Sequence, residues 1–443
     1  MQILRKIRLS SFQTILLGFI AVILIGALLL TLPAASADGV SAPFPDALFT
    51  ATSAVCVTGL VVRDTATSWS GFGKLVLLVM IQIGGLGVVT AATFFAVLSR
   101  RKLGVRFRSI LQESVSAEHP GGILRFVRFI LLTTLCVEGA GALLLLPSFA
   151  SEYGFGKAVW LSVFHSVSAF CNAGFDLCGE RAAFSSLTAY RANVPVNLVI
   201  LPLILIGGIG FHTLSDLLAN RFRLSRCRLQ TKLILAVSGL LVLVPAVLFF
   251  FLEFGGLTGT ERVLASLFQS VTTRTAGFNT ADFAGMSEAG QLMTVFLMLV
   301  GGSPGSTAGG VKTTTAAVLL ANAAAVVRRR KNPRLFSRRI GEDTVKSAST
   351  LLILYLSLSL AGAFVISVAE RLPFEWCIFE TVSAIGTVGL SMGITPTLGL
   401  LSRAVLMGLM FFGRVGALTL LSAAVSTSRI ETAQYPVGRI NVG

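Results

Sequence analysis

Seven stretches of this chain are long and apolar enough to cross the roughly 30 Å hydrocarbon core of a bilayer as helices of about 20 residues. They run over 12–32, 75–98, 126–147, 194–218, 231–252, 347–369 and 403–425. An eighth, 291–327, is apolar at both ends but interrupted between Gly301 and Gly310; counting it gives eight spans and puts both termini on one side. Soluble domains carry about 25% charged residues, whereas this 443-residue chain carries 13%, with 54% hydrophobic. A soluble globular fold is excluded on those grounds. An all-α polytopic membrane protein is expected, because a helix satisfies its own backbone hydrogen bonds in lipid.

The basic residues orient the spans. Clusters stand at Arg5, Lys6 and Arg8, at Arg100 to Arg108, at Arg221 to Arg228 and at Arg328 to Arg339. With Arg125, Arg128, Lys232, Lys346, Arg429 and Arg439 they place 25 of the 36 Lys and Arg on one set of loops, which the positive-inside rule assigns to the cytoplasm, together with both termini. The acidic residues show the reverse bias, 13 of 20 lying on the outer loops. The net charge of +16 is therefore a topology signal and not a sign of a nucleic-acid partner. Residues 1–36 outline a signal peptide, but the apolar run of about 20 residues exceeds the usual 7–15, and an uncleaved first helix keeps the span count even. The six cysteines (56, 136, 171, 178, 227 and 377) show no metal-ligand spacing and read as small apolar residues.

Each outer loop holds an apolar stretch too short to span, followed by a glycine turn: Phe49-TATSAVCVT-Gly59, Phe164-HSVSAFCNA-Gly174, Phe268-QSVTTRTA-Gly277 and Phe379-ETVSAIGTV-Gly389. Three share Phe, then Ser-Ala-apolar, then Gly ten residues after the Phe; the third is one residue shorter. The Gly-to-Gly intervals of 115, 103 and 112 make the repeat about 110 residues long, far beyond a solenoid unit. Each repeat reads as span, short re-entrant pore helix, extended turn, span. Four such turns can converge on one axis and aim carbonyl oxygens inward in place of a cation's hydration shell; the bland alternative is four structural hairpins with no ion path. The residues at the turns are Val57-Thr58-Gly59, Asn172-Ala173-Gly174, Thr275-Ala276-Gly277 and Thr387-Val388-Gly389. None is a carboxylate, so a neutral cage for a monovalent, weakly hydrated cation such as potassium is expected rather than a divalent site. Arg274 is expected to point behind the turn and brace a pore helix, since a cation facing the path would repel the ion.

The spans after the turns carry glycine clusters: Gly84-Gly85-Leu86-Gly87, Gly207-Gly208-Ile209-Gly210, Gly301-Gly302 and Gly413-Arg414-Val415-Gly416. Close helix packing accounts for part of this. In the third repeat the cluster expands through Gly301, Gly302, Ser303, Pro304, Gly305, Ser306, Thr307, Gly309 and Gly310 to Lys312, which cannot remain one helix. Midway through the membrane below the turns, such a segment can serve as a movable gate. Its near match to a phosphate-binding loop is a coincidence: Val311 intrudes before the Lys, and no strand precedes it. Arg414, inside a span, reads as an electrostatic barrier or as an anchor for that loop through backbone carbonyls. Glu138 offers a partner elsewhere in the bundle, and His165 and His212 read as packing or hydrogen-bonding residues.

These four turns, the Gly-Gly-Leu-Gly cluster, the 301–315 loop and Phe412-GRVG-Ala417 together resemble the membrane subunit of the Ktr/Trk potassium transporters, the KtrB type more than the TrkH type because no extra pair of spans precedes the first repeat. The resemblance covers essentially the whole chain. It implies four helix–pore-loop–helix repeats (1–98, 99–220, 221–330 and 331–443) about a pseudo-fourfold pore, with eight transmembrane helices and four re-entrant pore helices. It further implies potassium held by backbone carbonyls just before Gly59, Gly174, Gly277 and Gly389, a gating loop over 301–312 and a barrier at Arg414. It also implies a homodimer in the cytoplasmic membrane, bound on its inner face to a nucleotide-binding KtrA-type RCK ring. Sodium dependence is expected from the family alone. Only the last Gly is common to all four turns, so selectivity is expected to be looser than in a channel with four identical filters. An alternating-access symporter for another solute is the competing reading, although its usual mark is one repeat pair. A membrane enzyme has no catalytic cluster to support it.

Overall fold

The computed structural model describes residues 10–88, 90–91, 93, 123–330, 332–336 and 338–416. The basic clusters at 5–8 and 100–108, Arg429, Arg439 and the far ends of the expected spans 75–98 and 403–425 lie outside the described residues. The helices fall into four similar units. The first holds α1 (Ser11–Leu30), α2 (Phe44–Cys56) and α3 (Gly71–Leu86). The second holds α4 (Ile123–Tyr153), α5 (Phe155–Phe170), α6 (Val194–Ile209) and α7 (Phe211–Ala219). The third holds α8 (Leu229–Leu252), α9 (Gly259–Thr272), α10 (Glu288–Leu299) and α11 (Thr313–Val327), and the fourth α12 (Glu342–Glu370), α13 (Phe374–Gly386) and α14 (Leu400–Val415). A two-stranded hairpin, β1 (Arg334–Leu335) and β2 (Arg338–Arg339), joins the last two units, pairing Arg334 with Arg339.

The opening helix of each unit, α1, α4, α8 or α12, is long and apolar enough to cross a membrane. α1 starts at a capping box in which the Ser10 side chain and Gln13 satisfy each other's backbone N–H groups. Its buried residues, Ile15, Phe19, Ile23, Ala27 and Leu30, form one stripe at helical spacing. The opposite face is equally apolar and exposed, as at Leu17, Leu24 and Leu28. A helix that is apolar all round is stable only with protein on one side and lipid on the other.

The second helices correct an expectation of the sequence. The stretches 75–98, 194–218 and 403–425 are not continuous spans: each breaks at a glycine with left-handed φ, +85° at Gly87, +94° at Gly210 and +89° at Gly416. α6 and α7 meet at 95°. Only glycine reaches these values at no cost, and broken backbone inside a membrane persists where other protein groups satisfy it. At the Gly210 break, the Phe211 N–H donates to the Gly305 carbonyl at 3.0 Å.

Glycine also sets how closely the helices approach. A methyl at Gly84, Gly207 or Gly413 would run into the carbonyl of Val55, Phe170 or Ile385, at the inner end of the pore helix of the same unit. Each second helix then lies against the pore helix of the next unit: α3 on α5, α6 on α9, α10 on α13 and α14 on α2. The contacts close a ring. On the outer side Asp46 of α2 fastens the closure, accepting from Arg63 and from Arg403 of α14, both at 2.7 Å. Gly207→Ala is expected to cost about 2 kcal/mol through overpacking, whereas Gly139→Ala, with nothing within 4 Å of the added methyl, should be neutral or slightly stabilising. Thermal unfolding of the detergent-purified variants checks both.

Candidate ion-conduction path

The pore helices α2, α5, α9 and α13 end where the glycine turns begin. Two residues before each glycine the backbone is left-handed, with φ of +56° at Val57, +55° at Asn172, +68° at Thr275 and +51° at Thr387; the glycines follow at +94°, +67°, +78° and +91°. Thr58, Ala173, Ala276 and Val388 between them keep negative φ. The four turns meet head to tail. A methyl on Gly59 would lie 2.5 Å from the Ala173 carbonyl oxygen, and one on Gly174 2.9 Å from that of Ala276. One on Gly277 would strike the Val388 carbonyl, and one on Gly389 the Thr58 carbonyl. The structure thus brings all twelve expected turn residues together around one ring, every one of the twelve that carries a side chain buried.

Two further features hold the ring. The C-terminal ends of the four pore helices carry partial negative charge, and all face it. Behind it stand hydroxyls that the sequence reading did not single out. Gly59 N–H donates to Ser53 Oγ and Gly389 N–H to Ser383 Oγ, both at 3.1 Å. Ser168 Oγ donates to the Phe175 carbonyl at 2.7 Å and Thr272 Oγ1 to the Phe278 carbonyl at 2.5 Å. The shared Ser-Ala pair was the available signal for three of them. In the third unit Thr272 takes that place, and the turn closes from Ala276 N–H to the Thr272 carbonyl instead of spanning one residue more.

Outside the ring lies a cavity of about 230 Å³, bounded by the four turn glycines and by Asp64, Asp176 and Asp282. Burial pushes the Asp176 carboxyl up to about 6, against the Cys178 N–H that favours its ionised form. On the other side of the ring lies the 300–312 segment. Val300 and Val311 pair as a short bridge. Ser303 N–H donates to Gly208 O at 2.9 Å and Thr307 N–H to Gly207 O at 3.2 Å, so the segment is tied to the broken helix of the second unit. Its upper face presses on the turns: a methyl on Gly309 would strike the Thr387 hydroxyl, and one on Gly310 would lie 3.0 Å from Gly386 O.

Arg414 donates to Thr307 O in this segment and to Gly84 O and Gly85 O in α3, the last at 2.9 Å. It spans the path from the fourth unit to the first and third. Lys312 Nζ donates to Ala308 O at 2.7 Å, so this Lys holds backbone carbonyls of its own loop. Both line an inner cavity of about 360 Å³ with Gly85, Gly305 and Ser306. Pro304 lines it too, its carbonyl facing Gly210, and Gly301 and Gly302 bond through the backbone to Val311 and Thr313. Arg274 is buried and braces the opening helix α8 rather than a pore helix as expected, its Nη2 lying 3.2 Å from Ser238 Oγ. Glu138 accepts from Gln82 Nε2 at 3.2 Å, with Cys171 Sγ at 3.8 Å. His165 Nδ1 lies 2.8 Å from Leu161 O, and His212 stacks on Phe126 with ring centres 4.4 Å apart. All six cysteines are free. Among the described residues no group of three His, Cys, Asp or Glu is placed to hold a metal ion.

The family model described as "TrkH: Cation transport protein" matches residues 8–431. The chain is 41% identical to the potassium/sodium uptake protein NtpJ of Enterococcus hirae, over 98% of both chains. It is 37% identical to the Ktr system potassium uptake protein B of Bacillus subtilis, over 100% of this chain and 99% of that one. The crystal structure of the potassium transporter TrkH from Vibrio parahaemolyticus superposes with a TM-score of 0.74 at 18% identity, covering 94% of this chain and 85% of that one. The likeness covers most of both chains, at an identity that speaks to the fold alone.

Removing the hydroxyls behind the ring isolates their contribution. Ser53→Ala with Ser383→Ala leaves two buried glycine N–H groups unpaired, at about 1 kcal/mol each. Rubidium binding to the purified double variant is expected to weaken about fivefold or more in isothermal titration.

Proposed function

The chain belongs to the TrkH family of cation transport proteins, and from that premise we propose that it carries potassium into the cell through the ring of backbone carbonyls at Thr58, Ala173, Ala276 and Val388. The observation that carries this reading is the ring itself: four neutral carbonyls at the inward ends of four pore helices, with no carboxylate among the ring residues. Such a cage favours a monovalent cation that sheds water readily. The four repeats, 1–98, 99–220, 221–330 and 331–443, each contribute one quarter of the filter. Potassium is the cargo, sodium a second ion that drives or accompanies it, and no organic cofactor or enzymatic step is involved.

The 301–312 segment is the gate, in its closed position. Arg414 holds it there by its bond to Thr307 O and adds a positive barrier to the path. Opening withdraws the loop from beneath the turns. The exposed arginines of the inner loops, including Arg221, Arg223, Arg328 and Arg338, suit a cytoplasmic regulator, and the relatives named as parts of Ktr systems support a KtrA-type RCK ring that binds nucleotide and acts on a homodimer in the cytoplasmic membrane, with N- and C-termini inside.

Cells lacking their own potassium transporters provide the test. Wild type should restore potassium uptake, and Gly174→Ser, whose added atoms meet Gly277 Cα at 2.8 Å, should raise KM for potassium about tenfold or more. Failure of wild type to restore uptake of potassium or rubidium, with or without a co-expressed regulator, overturns the reading. Deleting residues within 303–309, or Arg414→Ala, should raise flux in the absence of the regulator. Unchanged or lower flux from a well-inserted protein would remove the loop from its role as gate.

A further inference from the structure

Directly after the phenylalanine that opens each turn motif stands a polar residue: Thr50, His165, Gln269 and Glu380. All four are fully buried on the pore helices. Three residues after each turn glycine, the outer leg of the turn carries Val62, Leu177, Thr280 and Met392. In two of the four units the helix residue grips that leg by its backbone.

In the second unit Leu177 N–H donates to His165 Nε2 at 3.3 Å. The other ring nitrogen, Nδ1, lies 2.8 Å from Leu161 O. A carbonyl only accepts, so Nδ1 carries the proton and Nε2 offers the lone pair that Leu177 needs. In the fourth unit Met392 N–H donates to Glu380 Oε1 at 3.0 Å. Ser391 Oγ donates to the same oxygen at 2.5 Å, and Thr395 Oγ1 to Oε2 at 2.8 Å. Two side chains of different chemistry thus make the same bond at the same place. The remaining two helix residues do not. Thr50 Oγ1 donates to Asp46 O of its own helix at 2.8 Å. In the third unit neither end of the Gln269 amide has a partner, and neither does the Thr280 hydroxyl.

The turns follow one another around the ring in chain order, so the second and fourth face each other across it. We propose that His165 and Glu380 are positioning residues of the carbonyl ring: each supplies a pore-helix acceptor that pins the outer leg of its turn, and together they fix the ring across the Ala173–Val388 diameter and set its discrimination against sodium. The proposal rests on the reading of the ring as the ion path. A ring held across one diameter resists contracting around an ion smaller than potassium, so its carbonyls replace the hydration of sodium less well. The acceptor matters here, not the charge, because a neutral imidazole and a carboxylate fill the same role.

The test measures rubidium and sodium Kd on the purified chain, beside rubidium uptake by transporter-deficient cells. H165L and E380L remove the acceptor, and each is expected to lower the ratio of sodium Kd to rubidium Kd about fivefold. E380Q keeps an oxygen for Met392 N–H without the charge and should retain most of the discrimination that E380L loses. Q269L makes a like change of polarity at the equivalent position, where no bond exists, and should keep the wild-type ratio. An unchanged ratio in either leucine variant at His165 or Glu380 overturns the proposal. So does a loss in Q269L equal to that in E380L, which would mark a merely structural effect of an apolar residue in a pore helix. E380Q is nearly isosteric and keeps the test decisive should a leucine variant fail to insert: a ratio lowered about fivefold there assigns the effect to charge and overturns the pinning role. Wild type that carries neither potassium nor rubidium would instead overturn the transport reading itself, so the two failures are distinct.

Discussion

Backbone carbonyls left without a donor inside a membrane are the constraint on which the rest of this structure depends. In lipid each unpaired polar group costs several kcal/mol, yet the Thr58, Ala173, Ala276 and Val388 carbonyls gather around one ring, each against the glycine of another turn. Hydroxyls around the turns pair several of the backbone groups at that depth. The glycine N–H groups or the carbonyls beyond them bond to Ser53, Ser168, Thr272 and Ser383. The neighbouring second helices approach through glycine, so no side chain separates the pore helices from them.

The same device recurs below the ring with opposite sign. Breaking the second helices at Gly87, Gly210, the 300–312 segment and Gly416 releases carbonyls at membrane depth. Two cations, Arg414 and Lys312, take several of them: Thr307, Gly84 and Gly85 for the first, Ala308 and Gly309 for the second. Their bonds run to backbone carbonyls, which leave each positive charge in place. A carboxylate partner would have neutralised it. Carbonyls satisfy the hydrogen bonds while leaving the field intact.

The four units are not equivalent, and their differences fall at the layer that meets the loop. Val57, Asn172, Thr275 and Thr387 share a backbone conformation but not a chemistry. The third unit, with its shorter turn and interrupted second helix, supplies the 300–312 segment, and the second anchors it at Gly207, Gly208 and Asn172. The ring is thereby asymmetric: the segment of the third unit is tied to the second at Gly207 and Gly208 and to the fourth through Arg414.

Much of this was legible in the residues themselves. Apolar length and the charge bias determined that the chain crosses a membrane many times, the spacing of the four glycine turns determined the repeat, and the absence of carboxylates before those glycines determined the neutral character of the ring. These are local or additive properties, carried by short windows of sequence. The tertiary structure decided which turn meets which, that three apparently continuous spans break at glycine, and that serine and threonine hydroxyls brace the ring. It also decided the partners of Arg414, whose bond to Gly85 joins positions 329 apart. Such contacts leave no periodicity for a window to detect: glycine in an apolar run favours close packing as readily as a break, and only the groups that arrive from other repeats settle which of the two is stable in lipid.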